Sequence, residues 1–225
     1  MKMARTTTKC VDFQTLQSRG PSAAIVVKLM MACNDLTLAD QALAHWKKEQ
    51  RRSKSSRQSG ACMYFVRLQI SHLKEGLTVI AQLREDPDLR GIVANCDPHT
   101  QSCFQELEQY VQAGPKKDRF EKLAGRIRHS LAFHYDKSHK LIVKAIVDRA
   151  VRPEARVSLI TRGDNVDLWH FRAADDVVES IVVRQIWDIP RSADLRHEAD
   201  AISDELHKVL CQFLDFSGEF IWKYL

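Results

Sequence analysis

A mainly α-helical bundle with one small β-hairpin is the fold class this sequence predicts, on three observations. Apolar residues recur at steps of three and four through most of the chain. Glycine and proline are sparse, 8 and 6 in 225 residues. Only the region 156–172 changes to a two-residue period and turn-forming residues. Hydrophobic residues make up 44% and charged residues 28%, which suits a packed globular chain and excludes a disordered one. This length can bury a real core without disulfide or metal staples. The expected organisation is a flexible N-terminus over 1–20 and a single helical domain over 21–225. Its core bundle takes 22–150 and 192–225, and the hairpin lies between them.

The first helix is expected from Ser22 to Gln50, after Pro21. Thr37 with Asp40 three residues later has capping-box spacing, so one kinked helix and two helices are both open. From Gly60 to about Arg84, Met63, Val66, Ile70, Leu73, Leu77 and Ile80 set one apolar face on a long helix. Pro87 and its Asp neighbours stop it. A short helix over 104–111 closes at "AGPKK". Asp118 and Glu121 are placed to cap the next one, and Phe120, Leu123, Ile127 and Leu131 form its stripe. "SHKLIVKAIVDRAV" makes a further helix ended before Pro153. Runs 157–161 and 166–171, joined by Gly163, Asp164 and Asn165, read as the hairpin. Helix returns from Asp175 through Trp187. A last helix capped by Ser192 carries Leu195, Ala199, Ile202, Leu206, Val209, Phe213, Phe216 and Phe220 on a heptad-like seam. That seam suits packing on its own bundle and on a neighbouring subunit equally.

The N-terminus "MKMARTTTKC" is basic but lacks a following signal-type apolar run, so a cytoplasmic protein is expected. "AAIVV" and "LMMAC", split by Lys28, are each too short to span a bilayer, and no membrane partner is expected. The six cysteines show no two-residue spacing. Reduced, mostly buried thiols follow, with no metal site and no cofactor.

Net charge is +5, and the segment 47–57, "KKEQRRSKSSR", carries six cations and one glutamate, which is the whole excess. Lys47, Lys48, Arg51, Arg52, Lys54 and Arg57 therefore form a local basic patch. It reads either as a solvated linker or as a loop contacting nucleic-acid phosphates.

The densest ionisable chemistry lies in "RIRHSLAFHYD", 126–136. Extending the apolar stripe by three residues lands on His134. At 100° per residue Arg128 lies about 40° from Ala124, beside that stripe, and about 120° from His134. A long cation there can lean over the face that presents the histidine. An arginine offers a planar, permanently charged fork to a phosphate. A histidine takes or gives a proton near neutral pH. RNA brings its own nucleophile, the 2′-hydroxyl. His129, His134 and His139, five apart, spread around a helix and do not converge on a metal.

A helical protein with Arg128, the polar His129 directly after it and His134 a few positions on resembles the HEPN superfamily, the higher eukaryotes and prokaryotes nucleotide-binding domain. The resemblance covers 22–150 and the last helix. It implies a HEPN-like up-and-down bundle, often a homodimer with facing motifs, and in many members a metal-independent endoribonuclease of toxin-antitoxin, phage-defence or stress systems. A cognate antitoxin or other protein partner is implied with it. In that reading Arg128 holds the phosphate, His134 is the general acid/base, His129 supports the phosphate, and Tyr135 or Asp136 orients His134. Two other classes stay open. One is a non-catalytic interaction module that docks a partner through the hairpin and the aromatic C-terminus, with Phe213 and Phe220 as contacts. The other is nucleotide binding without turnover.

Overall fold

The computed structural model describes residues 7–50, 56–132, 138–162, 164–165 and 170–225. Three helices of 30 residues each frame the bundle: α2 (Pro21–Gln50), α3 (Ser56–Glu85) and α9 (Leu195–Tyr224). Around them lie α1 (Phe13–Ser18), α4 (Pro87–Ala94), α5 (Pro98–Glu108), α6 (Pro115–Phe120), α7 (Lys140–Ala150) and α8 (Arg172–Ser180). Wide π-helical turns follow α6 at Glu121–Gly125 and Arg128–Ala132, and follow α8 at Ile181–Ile186.

α2 and α3 form an antiparallel pair. Ser22 Oγ donates to Asp86 Oδ2 at 2.6 Å, Lys28 Nζ to Gln82 Oε1 at 3.0 Å, and Gln69 Nε2 to Asp40 Oδ1 at 2.9 Å. His72 Nδ1 lies 3.6 Å from Asp35 Oδ2. As numbering rises on one helix it falls on the other. α2 is unbroken, which settles the open choice in favour of one helix; Asp40 accepts from α3 across the pair. Its stretch Pro21–Trp46 is long and apolar enough to cross a membrane by length and composition, because one helix joins the two short runs. In the bundle that helix sets Val26, Leu29 and Leu36 into the core.

α9 closes the core. Phe213, Phe216 and Phe220 are fully buried, and Phe216 meets Phe104 of α5 at 5.0 Å between ring centroids. The seam therefore packs on its own bundle. Phe213 and Phe220 are core residues and not the partner contacts that the interaction-module reading expects. Burying roughly 150–250 Å² of ring apiece stabilises the fold more than a rim contact would.

Several elements differ from expectation, each for a local reason. The N-terminus expected to be flexible contains α1, capped by Asp12 and tied to the end of α9. Lys9 donates to the Trp222 carbonyl at 2.8 Å, and Arg19 donates to the Tyr224 carbonyl and stacks 4.4 Å from its ring. α4 begins at Pro87, the expected stop, and α5 begins at Pro98, ahead of the short helix expected over 104–111. Asp86 and Asp97 cap these helices, and each proline occupies the first helical position, where its missing N–H costs nothing. α6 starts at Pro115 after Gly114, so Asp118 and Glu121 make no cap there. Asp194, not Ser192, accepts from the His197 N–H at the start of α9. Of the expected hairpin, Gly163 and 166–169 lie outside the described residues; among the described ones a single antiparallel bridge pairs Thr161 with His170 through N–H···O bonds of 2.7 and 2.9 Å, and no strand is present. Val157, Leu159 and Ile160 of the first run stay exposed, and an isolated two-stranded ribbon is marginal in water. All six cysteines are free thiols, but only Cys103 is buried.

Asp86 links three elements through Ser22 and the N–H groups of Asp88 and Leu89. The Ser22 hydroxyl first, and then the Leu89 N–H, hold its carboxyl below the usual range. A carboxyl depressed by folding stabilises above the unfolded pKa, near ~4, and loses that contribution as pH falls through the lowered folded value. Asp86→Ala is expected to cost about 1 kcal/mol by urea denaturation at neutral pH, as lost N-caps do, and less below that window.

Candidate functional site

The chain from α6 to Ala132 packs antiparallel on α3. Phe120, Leu123, Ala124, Ile127 and Leu131 are buried, so the expected stripe is the inner face. Polar contacts hold the register at three points. Lys74 of α3 pairs with Glu121. Glu75 Oε1 lies 2.6 Å from Nε of Arg128. Arg67 donates from Nη1 to the Leu131 carbonyl at 2.6 Å, satisfying an acceptor near the end of the helix.

Arg128 thus stands half-buried at the bundle rim, its guanidinium fixed from α3 by a carboxylate on one edge. Its Nη1 reaches 3.4 Å from Nδ1 of His129, which is exposed. Arg126 is exposed as well. The turn Arg128–Ala132 is π-helical, so the angular spacing expected for an α-helix does not apply to it. Such wide turns re-aim side chains and are frequent at functional sites.

His134, Tyr135 and Asp136 lie outside the described residues. Arg128 and His129 are therefore the members of the expected constellation that the structure brings together. His139 is exposed in the left-handed region, φ 58°, just before α7. In the basic patch Lys48 is exposed. Arg51, Arg52 and Lys54 lie outside the described residues, as do the side chains of Lys47 and Arg57.

Sequence reasoning missed the partners on α3. Arg67, Lys74 and Glu75 belong to the helix with the clearest apolar periodicity, and their polar face gives no sign of which segment it meets. The constellation can bind an anion: two guanidinium groups flank the same turn, and one is already oriented. Glu75 competes for Arg128 until a ligand displaces it or takes the remaining N–H groups.

α7, the next helix in the chain after this segment, adds a different feature. Val143, Ile146, Val147 and Val151 are exposed at helical spacing, with Val157, Leu159 and Ile160 exposed just beyond. Apolar side chains concentrated on one exposed face mark a docking surface more often than bare solvent contact.

Comparison with known proteins returns no matching family model, no matching curated protein and no matching solved structure.

Proposed function

We propose that this protein is a HEPN-like, metal-independent endoribonuclease that works in the cytoplasm as a homodimer. The observation that carries the reading is Arg128, half-buried on a π-helical turn and oriented by Glu75 at 2.6 Å, with His129 beside it. Arg128 binds the scissile phosphate and stabilises charge on its oxygens as the pentacoordinate state forms. His134, as general acid/base, accepts the proton of the 2′-hydroxyl while that oxygen attacks phosphorus, or returns a proton to the departing 5′-oxygen. The products are a 2′,3′-cyclic phosphate and a 5′-hydroxyl. His129 supports the phosphate, Tyr135 or Asp136 orients His134, and the patch from Lys47 to Arg57 tracks the RNA backbone.

The test is incubation of the purified chain with mixed RNA in EDTA, with Arg128→Ala and His134→Ala alongside. Cleavage by the parent that is lost in both variants is the expected result. No cleavage, or cleavage unchanged in both variants, overturns the reading.

Two copies meet, in this proposal, through the α7 face, which immediately follows the Arg/His segment in the chain and would bring two such segments close. Ile146→Asp with Val147→Asp is expected to convert a dimer to a monomer in light scattering. A second reading rests on the same face: a non-catalytic helical module that docks a partner protein there. It predicts a monomeric parent chain with no cleavage.

A further inference from the structure

Where α5 crosses α9, three donor atoms of different chemistry meet on the surface. His99 Nε2, Cys103 Sγ and a carboxylate oxygen of Asp215 all lie within 4.8 Å of one another. The local folding explains the placement. His99 and Cys103 are four residues apart on α5, so they stack on one helix face. Asp97 caps that helix and accepts from the N–H groups of His99 and Thr100, which fixes the turn that carries the imidazole. One residue beyond Cys103 and Asp215, Phe104 and Phe216 lock α5 to α9 through the core. The thiol is a buried anchor, while His99 and Asp215 are open to solvent, with 72% and 59% of their side chains exposed.

We propose that His99, Cys103 and Asp215 bind a single transition-metal ion of the Zn²⁺ type, with the fourth coordination position open to water. The separations fit. His99 Nε2 is 3.7 Å from Cys103 Sγ and 3.8 Å from Asp215 Oδ2. Tetrahedral zinc with ordinary nitrogen, sulfur and oxygen bond lengths sets its donors about 3.4–3.6 Å apart, so these two edges need to close by only a few tenths of an ångström. The donor set also selects the metal: imidazole and thiolate favour zinc and its neighbours, whereas calcium and magnesium require oxygen ligands.

The carboxylates of Asp215 and Asp97 set negative charge beside the thiol, a field that attracts a dication. On binding, the S–H proton passes to solvent as the sulfur–metal bond forms, and no electron is transferred. The expectation of no metal site rested on the cysteine spacing and on the five-residue spacing of His129, His134 and His139, neither of which registers a His-x₃-Cys pair completed by a distant aspartate. One neighbouring pair competes for the role. His207 and Cys211 lie four apart on α9 with Nε2 and Sγ 3.5 Å apart, and Cys211 feels the Asp215 charge.

The site is independent of the proposed RNA chemistry, which is assayed in EDTA. The test is Co²⁺ titration of the reduced, metal-free full chain, read by thiolate-to-cobalt absorption in the near ultraviolet. One Co²⁺ per chain is expected, with the band displaced by Zn²⁺, abolished in Cys103→Ser and retained in Cys211→Ser. His99→Ala and Asp215→Asn are exposed-site changes that spare the core, and each is expected to weaken binding at least tenfold. Absence of a thiolate band overturns the proposal. So does a band that survives Cys103→Ser and vanishes in Cys211→Ser, or binding unchanged in both His99→Ala and Asp215→Asn.

Discussion

Phe213→Ala is expected to destabilise the protein by about 3–5 kcal/mol, the range for emptying a buried aromatic site. Phe213 is fully buried, and its ring edge lies against Gly76 of α3. A Cβ added at Gly76 would sit 2.7 Å from Cζ of that ring, so α3 and α9 approach closely only because glycine leaves the space. Two consequences separate packing from partner docking. Gly76→Ala destabilises by driving a methyl group into the ring, as overpacked cores do. Combining it with Phe213→Leu costs less than the two single changes added together, because the smaller side chain vacates what the methyl group fills. Urea denaturation of the four chains measures this coupling. An unchanged midpoint for Phe213→Ala would contradict the inward placement of the seam.

The long helices were legible because burial imposes a period on them. On α3, Ile70, Leu73, Leu77 and Ile80 are all inside, and on α9 Ile202, Leu206, Val209, Phe213, Phe216 and Phe220 are all inside. Periodicity reports which face is inward, and nothing about what that face meets. α4 and the first turns of α5 were hidden for another reason: a proline after an aspartate reads equally as a stop and as the first residue of a capped helix. The bridge at Thr161 shows the converse, since β-branched residues and turn chemistry do not make a sheet without a surface to cover.

The candidate sites follow the same division. The segment 126–136 stood out by composition, yet the residues that orient Arg128 belong to α3 and become visible only through antiparallel packing. The metal cluster is half legible. His99 and Cys103 show helical spacing on paper, but Asp215 joins them only because Phe104 and Phe216 bring α5 onto α9.

His134→Ala is expected to slow RNA cleavage by about 10²–10⁴-fold, the contribution of a positioned general acid/base. The proposed cycle needs a proton removed from the 2′-oxygen and one delivered to the 5′-oxygen, and no other group is assigned that task. His129→Ala should act more weakly and chiefly on KM, because the proposed cycle gives His129 a phosphate contact and no proton to move. Arg128→Lys keeps the charge but loses the planar fork, so kcat should fall although RNA still binds. Glu75→Gln removes the charge of the ion pair that lies 2.6 Å from Nε of Arg128 while keeping the side chain's shape. In the proposed cycle that carboxylate competes with the phosphate, so the substitution should lower KM. Single-turnover and steady-state kinetics on one short RNA separate these effects. A lower kcat for Arg128→Lys together with a lower KM for Glu75→Gln would place the guanidinium on the substrate. Unchanged kinetics in both would leave Arg128 as a strut between α3 and the π-helical turn.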